Sequence, residues 1–374
     1  MKKQLFKAAF ASLAATLLSC APALAADPLV VGRSLALTGP LKIYGEAKRD
    51  GGDAYISKIN AAGGVSGRQI ELVTLDDAYL PASTVENLKK IATERQPVAF
   101  MGLFGVPTSA AALPALLDLK IPVVGLSSGS DAMRTPFNRY VFPVRASYAD
   151  EARKLVGHVK VANISKISVI YMDNPFGVIL KDALLVALKE GGLTAKVFKV
   201  DVLGKEAASI AAQATAEGPQ AIFLATLAAV GVSVFSEIKK TPFRGAMYGF
   251  SPLDATAVTK SLGPKAHGLG ISQVFPIPNG VRLKVVAEYL QAVKDLGRGT
   301  PSFYGIEAYI EAKVLVEGLR RAGPQPTPAS LVKGLETLRD LDLGGFFVSY
   351  KPEAHNGSNF VEIDVINSVG DIAR

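Results

Sequence analysis

Tryptophan is absent, histidine occurs three times and cysteine once, and these shortages exclude whole classes of chemistry. The single thiol, Cys20, leaves no disulfide and no thiolate metal cage, so the fold must rest on its core. His158, His267 and His355 show no HExxH-like spacing, so no catalytic zinc and no other metal is expected. No run of basic residues exceeds two, and there is no indole for base stacking; nucleic-acid binding is not expected despite a formal charge of +8. Neither GxGxxG after a strand nor GxxxxGK[ST] occurs, so no nucleotide cofactor, and no cofactor of any kind, is expected.

What is present begins with a charged, then apolar, leader. Lys2, Lys3 and Lys7 precede an uncharged apolar run over residues 8–18, and Ala23-Leu24-Ala25 offers the small-x-small pattern of signal cleavage. Pro22 and the shortness of the run argue against a spanning helix. Residues 1–25 therefore read as a cleaved signal peptide and the product as a soluble periplasmic protein. Leu17-Leu18-Ser19-Cys20 resembles a lipoprotein box, with Leu18 where a small residue is favoured, so lipid anchoring at Cys20 is the alternative. Removing the leader leaves 349 residues with 38 basic and 33 acidic side chains. That length suits two lobes of about 120–200 residues each better than one core. An apolar content of 49% with 20% charged residues is that of a packed globular protein.

Strand-like and helix-like segments alternate. Apolar β-rich runs occupy 29–37, 69–76, 98–104, 121–126, 167–172, 195–201 and 221–226. Helical spacing occupies 44–62, 81–95, 108–119, 177–189, 207–217 and 230–240. Val/Ile-rich strands with little alternation are those covered on both faces, as in a parallel sheet. The fold class expected is α/β, with two doubly wound, Rossmann-like lobes and a first crossing between them at 139–148.

Gly125-Leu126-Ser127-Ser128-Gly129 fits the GxSxG pattern of a hydrolase nucleophile elbow. The elbow should lead straight into a helix, yet Pro136 follows closely, leaving room for one short turn. Of the histidines, His158 falls in an amphipathic helix and His355 in a turn-like stretch, so only His267 could complete a triad. A hydroxyl-rich loop at a strand's carboxyl end is better suited to holding an anionic ligand. Asp76-Asp77 reads as a solvated turn at a strand end, a cation site being the lesser alternative. Tyr44, Tyr171 and Phe176 lie at or near strand-to-helix junctions, where they serve the core or line a pocket.

Thr38-Gly39-Pro40 with Tyr44-Gly45 resembles the opening of the type I periplasmic binding proteins of the branched-chain amino-acid family. The likeness continues through 59–68, Asp76-Asp77, Ile121-Pro122-Val123-Val124, Ser127–Ser130 and 171–177, covering essentially the mature chain. It implies two lobes joined by a three-strand hinge, 26–146 with 276–352 and 147–275 with 353–374. It also implies that the lobes, as a monomer, close on a small-molecule ligand and deliver it to an inner-membrane ABC permease, without catalysis. By the same resemblance the ligand carboxylate is held near Val106-Pro107-Thr108 and across Ser127-Ser128-Gly129. Tyr44 and Phe176 enclose its apolar part, and Leu227 and Ser251 line the second lobe's side. Two positions depart from the family. Ser251 stands where an acid pairs with the ligand ammonium, with Asp254 close by, and Gly129 replaces a threonine, with Ser127, Ser128 and Ser130 available instead. These departures favour an aromatic or aliphatic carboxylate over a hydrophobic amino acid, since a buried ammonium needs a carboxylate. A periplasmic ligand sensor, or a serine hydrolase using Ser127, are the competing readings.

Overall fold

The computed structural model describes residues 27–280 and 282–373. The expected signal segment, Cys20 included, lies outside the described residues. Among those residues no helix is long and apolar enough to cross a membrane.

Chain order runs β1 (Leu29–Leu35), α1 (Lys42–Ala61), β2 (Ile70–Asp76), α2 (Pro81–Arg95), β3 (Ala99–Phe104), α3 (Val106–Leu119), β4 (Val123–Ser127) and β5 (Val141–Phe142). There follow α4 (Tyr148–Val161), β6 (Ile167–Met172), α5 (Pro175–Glu190), β7 (Lys196–Val200), α6 (Ala207–Thr215), β8 (Ala221–Ala225), α7 (Ala228–Lys240) and β9 (Ala246–Gly249). Then come α8 (Ala255–Leu262), β10 (Leu269–Gln273), α9 (Lys284–Leu296), α10 (Phe303–Arg321) and α11 (Pro328–Leu335). Five short strands close the chain: β11 (Leu341–Asp342), β12 (Phe347–Lys351), β13 (Ala354–Gly357), β14 (Glu362–Ile366) and β15 (Ile372–Ala373).

The strands form two large sheets. One has the order β2-β1-β3-β4-β5, wholly parallel. The other has the order β15-β14-β10-β9-β8-β6-β7, with β14 and β15 added antiparallel at one edge. A small antiparallel sheet, β11-β12-β13, completes the set. Every residue of β3, β4 and β8 is buried, as expected of parallel strands covered on both faces. The two-lobed α/β architecture read from the sequence is present.

Several element limits differ from the sequence reading, each for a local reason. Helix α3 begins at Val106 and not 108, because Gly105 enters it at φ +89° and Pro107 suits the first turn. Helix α5 begins at Pro175, where the Asn174 side chain accepts from the Gly177 N–H. The short turn expected after the GxSxG loop is a 3-10 turn at Asp131–Met133. His355, expected in a turn, lies instead on β13, buried, stacked on Phe142 at 3.8 Å with Nδ1 3.0 Å from the Val141 carbonyl.

The first sheet is clamped by an ion pair. Lys48 of α1 meets Glu311 of α10 at 2.8 Å, each side chain about 1% exposed. Beneath it Gly102 and Gly125 stand side by side, between the register pairs Met101–Val124 and Leu103–Leu126, at φ +72° and +82°. A Cβ on Gly125 would fall 2.1 Å from the Glu311 carboxyl carbon. The helices themselves cross closely: a Cβ on Gly51 would lie 2.0 Å from the Gly305 carbonyl oxygen. Burial raises the Glu311 pKa, against the pull of Lys48.

Removing one partner of such a pair strands the other charge, at about 3–5 kcal/mol. Lys48→Met alone should therefore lower unfolding stability by that order in urea titration. Lys48→Met with Glu311→Leu should recover much of the loss. A double variant as unstable as the sum of the singles would show that the pair is not the clamp.

Candidate functional site

The carboxyl ends of the two sheets meet at a cleft, and four rings gather on the first lobe's side. Tyr44, in the first turn of α1, stacks on Phe104 at 5.7 Å and lies 4.8 Å from Tyr304 at the start of α10. Tyr79 approaches Phe104 at 5.5 Å. It lies over Gly105, where a Cβ would come within 2.3 Å of the ring. Tyr79 and Ala78 both hold left-handed backbone, at φ +63° and +48°, a conformation that needs outside support. The support is the acidic pair. The Ala78 N–H donates to Asp76 Oδ1 and the Tyr79 N–H to Asp77 Oδ1, each at 2.9 Å.

That pair is only partly the solvated turn expected. Asp77 is 3% exposed and accepts from the Ser34 and Thr84 hydroxyls at 2.8 and 3.0 Å. Asp76 is exposed and accepts from the Leu37 and Thr38 N–H groups at 2.8 and 3.2 Å and from the Thr38 hydroxyl at 2.5 Å. It thereby ties the loop before Tyr44 to the loop that carries Tyr79. No group of metal-ligating side chains with a cation's geometry occurs among the described residues.

The hydroxyl loop lies beside the start of α3. Ser127 Oγ is buried and has no hydrogen-bond partner among the described residues. Ser128 Oγ accepts from the Ser130 N–H at 3.3 Å, and Ser130 Oγ from the Ala132 N–H at 3.4 Å. Gly129 is covered by the Tyr148 ring, which a Cβ would meet at 2.5 Å, so a threonine there would have to displace the ring. The Tyr148 N–H donates to the Gly129 carbonyl at 2.7 Å, joining the loop to α4. Thr108 donates its hydroxyl hydrogen to the Phe104 and Gly105 carbonyls. Pro107 is exposed, and Val106 packs against the second lobe's core. No histidine is hydrogen-bonded to Ser127, so the triad a hydrolase needs is not assembled around it among the described residues.

On the second lobe, Phe176 packs edge-on to Tyr148 at 6.3 Å. Leu227 is half-buried against the second core at the start of α7. Ser251 belongs to a polar knot that the sequence reading missed. Arg145, 4% exposed, reaches the Ser251 hydroxyl at 2.6 Å, Glu151 at 3.4 Å and Glu307 at 3.9 Å. Glu151 accepts from the Ser251 N–H at 2.8 Å, the Ser251 hydroxyl at 2.9 Å and the Ser272 hydroxyl at 2.6 Å. The Arg145 guanidinium lies 5.7 Å from the Tyr148 ring centre. Burial works against its charge, but Glu307, Tyr148 and Glu151 more than restore it and raise its pKa. Burial pushes Glu151 up, against Arg145 and the serine hydrogen bonds.

Asp254 is buried and caps α8 by accepting from the Thr256 and Ala257 N–H groups at 3.1 and 3.3 Å. Burial raises its pKa. Burial, then the nearby charge of Asp254, pushes the Tyr44 phenol up to about 12. Tyr79, Tyr148, Tyr304, Arg145 and Glu307 were absent from the sequence reading. Arg145 alone left a signal, as a charge between apolar residues inside the expected crossing at 139–148.

A family model described as "Periplasmic binding protein" matches residues 28–363. An extracellular ligand-binding receptor from Verminephrobacter eiseniae is 27% identical in sequence. It superposes with a TM-score of 0.85 over 93% of this chain and 100% of that one. A substrate-binding periplasmic protein from Ralstonia solanacearum is 28% identical, with a TM-score of 0.84 over 92% and 99%. Leu/Ile/Val-binding protein homolog 3 of Brucella melitensis is 23% identical over 82% of this chain and 83% of the relative.

The Asp76 bracket has a pH signature. Slight desolvation opposes its charge, but hydrogen bonds from Thr38, Ala78 and Leu37 hold its pKa below the ordinary carboxylate value. A depressed folded pKa gives stability that is present above the unfolded value, about 3.9, and lost as pH falls through the folded one. Asp76→Asn should therefore show a shallower acid limb than the parent when melting temperature is followed below about pH 4. Parallel limbs would mean the bracket contributes nothing to the folded state.

Proposed function

Because the chain belongs to the periplasmic binding protein family, of the branched-chain amino-acid-binding type, we propose that it is the solute receptor of an ABC importer. It works in the periplasm after loss of residues 1–25, with lipid attachment at Cys20 as the minor alternative. The lobes are 26–146 with 276–352 and 147–275 with 353–374. This division is supported in the main by one core that draws on Leu29 to Ala146 and Val285 to Tyr350 and others that draw on Tyr148 to Ile271 and on Ile366; Val274 and Phe275 in the first core and Phe303 in the second are the exceptions, at the seam. The receptor acts as a monomer, performs no catalysis and hands its solute to an inner-membrane permease.

The ligand is a carboxylate with an apolar or aromatic body. Its carboxylate lies between Ser127 and the first turn of α3, where an unpartnered buried hydroxyl adjoins the helix's free N–H groups. Its body lies against Tyr44, Tyr79, Phe104 and Tyr304. The observation that carries this choice is at Ser251. Where an ammonium would need an acid, the serine hydroxyl accepts from a buried guanidinium at 2.6 Å. A second reading, a hydrophobic amino acid, is favoured by Asp254, a buried acid three residues after Ser251. The relatives named as Leu/Ile/Val-binding proteins favour it too.

A thermal-shift panel separates the two. Aromatic and aliphatic acids without an amine should stabilise the protein more than leucine, valine or phenylalanine. Micromolar binding of those amino acids with no response to simple acids would overturn the carboxylate reading. Ser127→Ala should weaken binding of the best acid by about 10–100-fold, the cost of a hydrogen bond to a charged group. Small-angle scattering should show a smaller radius with saturating ligand, because a solute between two lobes favours the closed state by differential contacts. An unchanged radius alongside tight binding would count against the clamp.

A further inference from the structure

Three polar atoms around one small cavity lack what burial normally demands. Arg145 Nε, Gln273 Nε2 and Glu307 Oε1 are each buried with no hydrogen-bond partner among the described residues. Their residues line a cavity of ≈ 20 Å³ between the lobes, together with Ser251, Phe303 and Tyr304. The rest of the guanidinium is engaged, with Nη2 on Ser251 at 2.6 Å and Nη1 at 3.9 Å from Glu307. An unpaired buried donor or acceptor carries its full desolvation cost, so three on residues that line one void call for a group that satisfies all of them.

Charge and stoichiometry narrow that group. Glu151 and Glu307 already face Arg145, so an entering carboxylate would be a third anion beside one cation. An entering ammonium would meet the guanidinium. A hydroxyl has two acceptor lone pairs and one hydrogen, which matches two N–H donors and one carboxylate oxygen. Size agrees, since a cavity of this volume holds about one oxygen-sized group. The cavity also adjoins the ring cluster through one residue. Tyr304 lines it and packs against Tyr44 and Phe104 at 4.8 and 5.7 Å.

We infer that Arg145, Gln273 and Glu307 form a specificity site for a single hydroxyl at the far end of the ligand. This deepens the solute-receptor reading and takes from it only the position of the ligand's other end. The hydroxyl accepts from Arg145 Nε and Gln273 Nε2 and donates to Glu307. A ligand without it leaves the three atoms bare or strands a water among them. Sites built to bond a substrate hydroxyl reject the analogue lacking it, because their own polar groups are then unpaired.

The test uses matched probes on the full mature protein by calorimetry. 3-Phenylpropanoate, its 4-hydroxy derivative and its 4-carboxy derivative form one series, pentanoate and 5-hydroxypentanoate a second, and phenylalanine and tyrosine a third. The hydroxylated member should bind about 10–100-fold tighter than its plain partner, and the 4-carboxy derivative more weakly than either. In Gln273→Leu, or in Gln273→Met if the first does not fold, the hydroxyl-to-plain ratio should collapse towards one. Equal affinities in every series that binds, a preference for the carboxy derivative, or a ratio that survives both variants would overturn the inference. A hydroxyl preference seen only for tyrosine over phenylalanine would keep it and overturn the carboxylate reading. Should no probe bind, a high-resolution crystal structure decides. The hydroxyl oxygen of a co-purified molecule within hydrogen-bond distance of all three atoms supports the site, and a lone water or a collapsed or empty cavity overturns it.

Discussion

The Lys48–Glu311 pair sits where every first-lobe part of the site is hung. Two charges 2.8 Å apart and almost wholly out of water are tolerable only with close geometry, which the side-by-side Gly102 and Gly125 provide by removing both side chains beneath them. The pair joins α1 to α10 over Gly102 of β3 and Gly125 of β4. Tyr44 begins α1, Phe104 ends β3, Ser127 ends β4, and Tyr304 and Glu307 open α10. Glu307 and Glu311 lie four residues apart on one face of α10, so the clamp and the cleft share a surface. Burial of this pair thus sets the spacing of residues that never touch it.

The two sides of the cleft are chemically unlike. The first lobe offers hydroxyls, a helix start and four aromatic rings. The second offers serines and the Glu151 carboxylate, which receive the buried guanidinium of Arg145. Arg145 belongs to the segment that crosses between the sheets, so its bonds to Ser251 and Glu151 also brace the second lobe against the crossing. Tyr148 and Tyr304 each touch both environments. Tyr148 covers Gly129 while lying near the guanidinium, and Tyr304 joins the ring cluster to the polar cavity.

Much of this architecture was legible from local patterns. The Val- and Ile-rich strands and the glycine and proline punctuation fall near β1–β4, β6–β8, α1–α3 and α5–α7, within a few residues at most ends, whereas the short β5 and β9 and the limits of α4 were not read. The hydroxyl loop and Tyr44 were legible because they lie at strand ends in sequence. Arg145, Tyr304 and Glu307 were not, because their significance comes from contacts more than 100 residues away, such as Arg145 to Ser251 across 106 positions. Asp77 misled for a related reason. Beside Asp76 it looks like half of a wet turn, and only the Ser34 and Thr84 hydroxyls, brought over by other elements, make its burial tolerable. Gly129 is no simple loss of a hydroxyl, because a side chain there would have to displace the Tyr148 ring above it.

The first five strands of the larger sheet, β7-β6-β8-β9-β10, repeat the winding β2-β1-β3-β4-β5 of the smaller one. Each sheet therefore owns a complete core and presents its own carboxyl edge, and the cleft is a seam between two equivalents. Phe303, at the start of α10, nevertheless packs in the core of the larger sheet, so the two halves are not wholly independent. The antiparallel β14 and β15, which only the larger sheet carries, break that equivalence. They return the end of the chain to the larger sheet, so that its last residues are held beside β10, whose end carries Gln273.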